Sequence, residues 1–180
     1  MTALGAIFVG GASRRMGGAP KGLLVSPSGE PIVLRLARLL GDLGLPVVLV
    51  GDATAYGSTG LPSLPDAVAG QGPLSGLVAA LRVGTPVIAV ACDMPRVPSG
   101  LLARLLAAPE APIVAPFVDG VPQPLCARWS SAVLPICEAR LGRGALSLRG
   151  VIDDVGVTKL EISAEEADLL GDWDSPADVR

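Results

Sequence analysis

Short apolar runs alternate along this chain with segments whose apolar residues recur at helical spacing, and that alternation leaves few folds open. Ala3–Val9, Val47–Val50 and Pro86–Ala91 are unbroken apolar stretches of strand length. Between them lies Pro31–Leu43, with Ile32, Leu36, Leu39, Leu40 and Leu43 on one helical face and Gly44 and Pro46 beyond its end. Pro73–Val83 is a second predicted helix, closed by Gly84. Ser99–Ala108 is a third, started by Pro98 and Ser99 and stopped by Pro109. Ile113–Pro116 and Gln123–Trp129 are read as strands on either side of an Asp119-Gly120 turn, Ser130–Leu141 as a helix and Val155–Ile162 as a late strand. Serine and acids at 163–166 indicate a capped turn, and Gly51–Gly72 is the most loop-like stretch. The expected fold is therefore α/β: a three-layer, doubly wound, mostly parallel sheet with right-handed crossovers. Such sheets bind ligands beyond the carboxyl ends of their strands. A length of 180 residues suits one domain spanning 1–180.

Composition excludes several functions. Hydrophobic residues make up 50% of the chain and aromatics only 3%, so the core is built from Ala, Val, Leu and Ile, as buried parallel strands require. Mean hydropathy is positive, yet Asp42, Asp52, Arg82 and Asp93 interrupt the richest stretches, and no apolar run approaches the roughly 18–20 residues of a membrane span. Met1-Thr2-Ala3 lacks the basic start of a signal peptide, which points to the cytoplasm and away from membranes. A net charge of −3 and few aromatics disfavour nucleic-acid partners. Cys92, Cys126 and Cys137 are too widely spaced for a zinc site and are expected to be reduced thiols. Histidine is absent, which removes the Ser-His and Cys-His nucleophile pairs.

The first apolar run ends in an unusual loop. Residues 8–22 read Phe-Val-Gly-Gly-Ala-Ser-Arg-Arg-Met-Gly-Gly-Ala-Pro-Lys-Gly. Glycines let backbone N–H groups turn toward a ligand, and Arg and Lys supply positive charge, so a strand opening into this loop suits a polyphosphate. It is not a Walker A loop, because Lys21 is followed by Gly22 and Leu23 rather than by Ser or Thr. Nor has it the Gly-x-Gly-x-x-Gly spacing of a dinucleotide fingerprint.

The segment Phe8-Val9-Gly10-Gly11-Ala12-Ser13-Arg14-Arg15-Met16-Gly17, followed by Lys21, resembles the Leu-Ala-Gly-Gly-x-Ser-x-Arg-Met-Gly…Lys signature of the molybdenum cofactor guanylyltransferases. The resemblance extends over nearly the whole chain and implies a Rossmann-like nucleotidyltransferase fold. Cys92-Asp93-Met94-Pro95 matches the family's Cys-Asp-x-Pro, whose aspartate ligates magnesium; read alone, Asp93 also fits a carboxylate that staples the next loop. Asp66, a short gap and then Gly72-Pro73-Leu74-Ser75-Gly76 has the family look of a base-binding loop, in which a carboxylate would accept from the guanine N1–H and amino group. Asp172-Trp173-Asp174-Ser175-Pro176 resembles Asn-x-Asn-Thr-Pro, with aspartates in place of both asparagines as in related cytidylyltransferases; it implies Asp174 as a second magnesium ligand, while Asp174 or Ser175 is also an ordinary helix cap. Gly51-Asp52 stands where the family tends to have a nucleotide-binding asparagine, and Gln123 where histidine is usual. Gly142-Arg143-Gly144, with Arg149 nearby, lies where a basic loop meets the acceptor phosphate, but a solvated arginine at a helix end fits equally well.

The resemblance implies transfer of GMP from GTP to the terminal phosphate of molybdopterin, with Mg2+ as cofactor. Phe8, Val9, Gly10, Gly11, Lys21, Asp66 and Asp93 are the expected nucleotide-binding residues, Arg15, Lys21 and Asp93 the expected catalytic ones, and Asp93 and Asp174 the expected metal ligands. A phosphate acceptor with a second pKa of about 6 needs no general base, in keeping with a chain that lacks histidine. Molybdenum-insertion or molybdoenzyme-maturation proteins are conceivable further partners. Two other readings stay open: a small nucleotidyltransferase using CTP and a pterin or sugar-like acceptor, and a GTP-binding partner that has lost catalysis.

Overall fold

Side-chain parity along the first strand assigns its two faces. The computed structural model describes residues 3–9 and 20–173. In β1 (Leu4–Phe8), Leu4, Ala6 and Phe8 join one apolar cluster, whereas Ala3, Ile7 and Val9 join another. A strand buried on both faces needs a helical layer on each side, and the chain supplies both. Helices α1 (Ile32–Asp42) and α3 (Ser99–Ala107) cover the Ile7 face. Helices α2 (Gly72–Leu81), α4 (Leu134–Gly142) and α5 (Leu148–Val155) cover the Ala6 face. A Cβ on Gly5 would stand 3.2 Å from Leu40 Cβ, so the bare glycine lets α1 approach β1 closely.

The sheet also contains β2 (Val47–Val50), β3 (Ser63–Leu64), β4 (Val87–Ala91), β5 (Ile113–Val118), β6 (Val121–Pro122), β7 (Cys126–Trp129) and β8 (Thr158–Leu160). Its order is β3-β2-β1-β4-β7-β5-β6, with β8 beside β5. The strands β3, β2, β1 and β4 run parallel, while β7 is antiparallel to both β4 and β5. This is the expected doubly wound, mostly parallel sheet. The chain leaves β1 toward β2 on one side and returns through α2 to β4 on the other. The ends of β1 and β4, in register as Phe8 and Ala91, therefore flank a point where the strand order reverses.

The structure departs from the sequence reading in its second half. Residues 123–129 do not form one strand: Pro122 and Pro124 cannot donate to a ladder, and pairing resumes only at Cys126. Helix α5 lies where no element was expected, capped by the Ser147 hydroxyl, which accepts from Gly150 N–H at 3.2 Å. The late strand is accordingly confined to Thr158–Leu160. The turn at 163–166 is the capping box of α6 (Ala164–Leu169), in which Ser163 and Glu166 bond reciprocally. Ser130–Leu141 begins as a 3-10 turn before α4. Among the described residues no helix is long and apolar enough to cross a membrane.

Candidate active site

Beyond the carboxyl ends of β1 and β4 lies an open cleft of about 1080 Å³. Its floor is the strand tips themselves: Cys92 N–H donates to the Phe8 carbonyl and Val9 N–H to the Val50 carbonyl, each at 3.0 Å. Asp93 follows Cys92 just past the end of β4. Lys21 starts a 3-10 turn, Lys21–Leu23, on the far side of the first loop. The Lys21 Nζ donates to Asp93 Oδ2 at 3.1 Å, with the two side chains only 16% and 23% exposed. A half-buried carboxylate is thus matched by a half-buried ammonium, as the cost of burying charge demands.

Beneath this pair sits Tyr56, the chain's single tyrosine, buried in a 3-10 turn over Thr54–Thr59. Its hydroxyl accepts from Gly22 N–H at 3.3 Å and lies 3.9 Å from Cys92 Sγ. Gly22 is tightly enclosed: a Cβ there would stand 2.9 Å from Tyr56 Cε1 and 3.2 Å from Cys92 Cβ. Burial, with Asp93 adjacent, pushes the Cys92 thiol up to about 11, and burial raises the Tyr56 phenol as well. Both stay protonated near neutrality, so Cys92 has no thiolate character.

Asp66 stands in the opposite wall, against the first turns of α2. A Cβ on Gly76 would fall 3.0 Å from Asp66 Oδ1 and 2.7 Å from Val50 Cγ1, so glycine makes room for the carboxylate. Burial raises the Asp66 pKa, and the nearby charge of Asp52 adds to the effect. The loop that carries it is tied to α2 by buried Ser75, whose hydroxyl accepts from Val68 N–H at 2.7 Å and donates to the Val68 carbonyl at 2.8 Å. Gln123 lines the cleft as well. Residues 172 and 173 reach it from late in the chain: Trp173 is buried and its N–H donates to the Asp93 carbonyl at 2.9 Å, which brings Asp172 to the cleft.

Phe8, Val9, Lys21, Asp66 and Asp93 therefore line one cleft. Gly10, Gly11, Arg15 and Asp174 lie outside the described residues. Arg143 pairs with Asp154 at 3.7 Å and does not line the cleft, and neither does Arg149. Sequence reasoning missed Tyr56 and left Asp172 without an assignment. A lone tyrosine in a Gly- and Ser-rich loop carries no local signal; only its rarity in the chain could have drawn attention to it. Among the described residues no three metal-ligating side chains cluster. A cation here would thus take one or two carboxylates from the protein and further oxygens from phosphate and water, the habit of magnesium. The ammonium on Asp93 Oδ2 marks a place where positive charge is favoured, and the oxygen donors suit a hard ion.

The sequence profile of the MobA-like NTP transferase domain matches residues 5–158. A protein of Cereibacter sphaeroides named molybdenum cofactor guanylyltransferase is 34% identical over 176 residues, covering 94% of this chain and 90% of its own. A Pseudomonas putida protein of the same name is 34% identical over 177 residues, covering 94% and 92%. Among solved structures, molybdopterin-guanine dinucleotide biosynthesis protein A from Archaeoglobus fulgidus superposes with a TM-score of 0.79 at 21% identity, covering 97% of this chain and 94% of that one.

Proposed function

The chain belongs to the MobA-like NTP transferase family and is a nucleotidyltransferase, and within that family we propose that it transfers GMP from GTP to the terminal phosphate of molybdopterin. The observation that carries this reading is the meeting of Lys21, Asp93 and Asp66 around one cleft, with the ion pair at the strand tips and the Asp66 carboxylate in the wall beside α2. The names of the relatives support guanine as the base.

In this reading the base lies against the Asp66 wall. An ionised carboxylate offers two acceptors for the guanine N1–H and amino group. The triphosphate then runs toward Lys21. An acceptor phosphate oxygen attacks the α-phosphorus, the bond to the bridging oxygen breaks, and pyrophosphate leaves with the electron pair. Asp93, together with Asp174, would hold magnesium, which when bound offsets the repulsion between the two anionic reactants. Lys21, released from Asp93, would stabilise charge on the departing pyrophosphate, a role also proposed for Arg15, and the amides of Gly10 and Gly11 are proposed to hold the nucleotide in line.

The test is pyrophosphate release from GTP in the presence of molybdopterin, with and without magnesium and with CTP in place of GTP. Turnover with GTP, lost on chelation of the metal, is expected. Preference for CTP would move the assignment to a cytidylyltransferase, which the aspartates at 172 and 174 favour. GTP binding with no pyrophosphate release would leave a nucleotide-binding protein without catalysis.

A further inference from the structure

Tyr56 touches the residue after Lys21 and the residue before Asp93. Its ring and hydroxyl enclose Gly22, whose N–H donates to the hydroxyl at 3.3 Å, and the same hydroxyl lies 3.9 Å from Cys92 Sγ. The two members of the ion pair come from segments 72 residues apart, and Tyr56 comes from a third segment, after β2. The turn that presents it is itself pinned. Thr54 N–H and Oγ1–H donate to Asp52 Oδ1 at 3.1 and 2.6 Å, Tyr56 N–H to the Ala53 carbonyl at 2.8 Å, and Thr59 Oγ1–H to the Tyr56 carbonyl at 2.7 Å. At 3% exposure the side chain is fixed by packing on all sides. A phenol held this deep, with its oxygen spent on a backbone amide rather than on solvent, needs a reason beyond filling volume. Phenylalanine would fill the same space.

We propose that Tyr56 is a positioning residue that sets the distance between the Lys21 ammonium and the Asp93 carboxylate by fixing Gly22 against Cys92. The inference rests on the reading that Lys21 and Asp93 act on the phosphates. The hydroxyl gives the Gly22 N–H its acceptor, and the ring sets how near the Lys21 turn can come to the tip of β4. Without the hydroxyl, the buried amide is left unpaired and the turn is free to shift. Displacing a charge-stabilising group lowers turnover more than binding, because the base is held on the other wall by Asp66.

Tyr56→Phe keeps the ring and removes only the acceptor. It is expected to lower kcat roughly three- to tenfold, the loss matching one hydrogen bond of ordinary worth, with KM for GTP within about twofold of the parent. In the Lys21→Ala background the same change is expected to lower kcat no further, since Tyr56 acts through Lys21. Amide exchange at Gly22 supplies a readout independent of turnover: it is expected to speed up in Tyr56→Phe, with exchange in β5 unchanged as a control for folding. An equal loss of kcat with and without Lys21, or unaltered kcat and Gly22 exchange, would overturn the proposal. A parent enzyme inactive with every nucleotide and acceptor tried would instead sink the reaction assignment, and faster Gly22 exchange alone would then still show that Tyr56 positions the turn.

Discussion

Asp93 sits where β4 runs out, with its carboxylate on the Lys21 ammonium at 3.1 Å. Removing either partner breaks this half-buried ion pair, but the functional losses should differ. Asp93→Ala is expected to remove nearly all turnover, and Lys21→Ala much of it. Deleting one well-placed charge-stabilising group commonly costs about 2.7–4 kcal/mol of barrier, or about 10²–10³ in rate. Unchanged kcat in a folded Asp93→Ala protein would refute its assignment. Asp66 makes a second prediction, in pH. Burial, with Asp52 adding, raises its pKa above that of the unfolded chain, so the folded state binds its proton more tightly. Stability from this group therefore falls as pH rises through the window between the ordinary aspartate value and the raised one. GTP binding runs the other way, because only the ionised carboxylate accepts both guanine donors. Affinity should weaken on acidification at a pH above that of an exposed aspartate. Titrating Kd for GTP against pH in the parent and in Asp66→Asn checks this; the same pH dependence in both would assign it to another group.

Helix α2 shows a conflict between local propensity and site geometry. Gly76 lies inside it, and Ala there would gain about 1 kcal/mol of helix propensity in isolation. The added Cβ would meet Val50 Cγ1 at 2.7 Å and Asp66 Oδ1 at 3.0 Å, and overpacking of this kind costs about 1–3 kcal/mol. Gly76→Ala is thus expected to be neutral to destabilising by up to about 2 kcal/mol in urea unfolding, and to weaken GTP binding by displacing the Asp66 carboxylate. A stabilised variant with unaltered affinity would contradict both parts. Elements of this kind also explain what could be read from the chain in advance. The strands β1, β2 and β4 are buried on both faces, so each is a continuous apolar run that stands out locally. Helix α1 carries its apolar residues at clean helical spacing. Helix α5 repeats that spacing in Leu148, Val151, Ile152 and Val155, but over only eight residues and with Gly150 inside it. Val155 at its end looked like the start of the next strand. Lys21 and Asp93 were legible because each closes a distinctive motif. Tyr56 was not, since its partners Gly22 and Cys92 lie 34 and 36 residues away.

The cleft is assembled from segments far apart in the chain: the turn at Lys21, the loops carrying Tyr56 and Asp66, the tip of β4, and the stretch that carries Asp172 and Trp173. The first four belong to the parallel half of the sheet, β3-β2-β1-β4, and the last reaches them from the far end of the chain through the Trp173 N–H on the Asp93 carbonyl. Trp173 is the clearest test of that coupling. It is 4% exposed, it packs into the core on the α1 and α3 side, and its N–H donates to the Asp93 carbonyl. Asp172 next to it lines the cleft, and its charge adds to the burial that pushes the Cys126 thiol up to about 12. Emptying this position should loosen both the last stretch of the chain and the carbonyl of the residue on which the ion pair depends. Trp173→Ala is expected to cost about 3–5 kcal/mol in unfolding, as for other buried aromatics, and to lower kcat by more than it weakens GTP binding, since the Asp66 wall lies elsewhere. Trp173→Phe, which puts a smaller aromatic ring in the same buried place, should recover most of both losses. The check is a urea midpoint and a kcat and Kd pair for each variant. If Trp173→Ala loses stability but keeps the parental kcat, the C-terminal stretch only packs, and the site is complete at the tip of β4 without it.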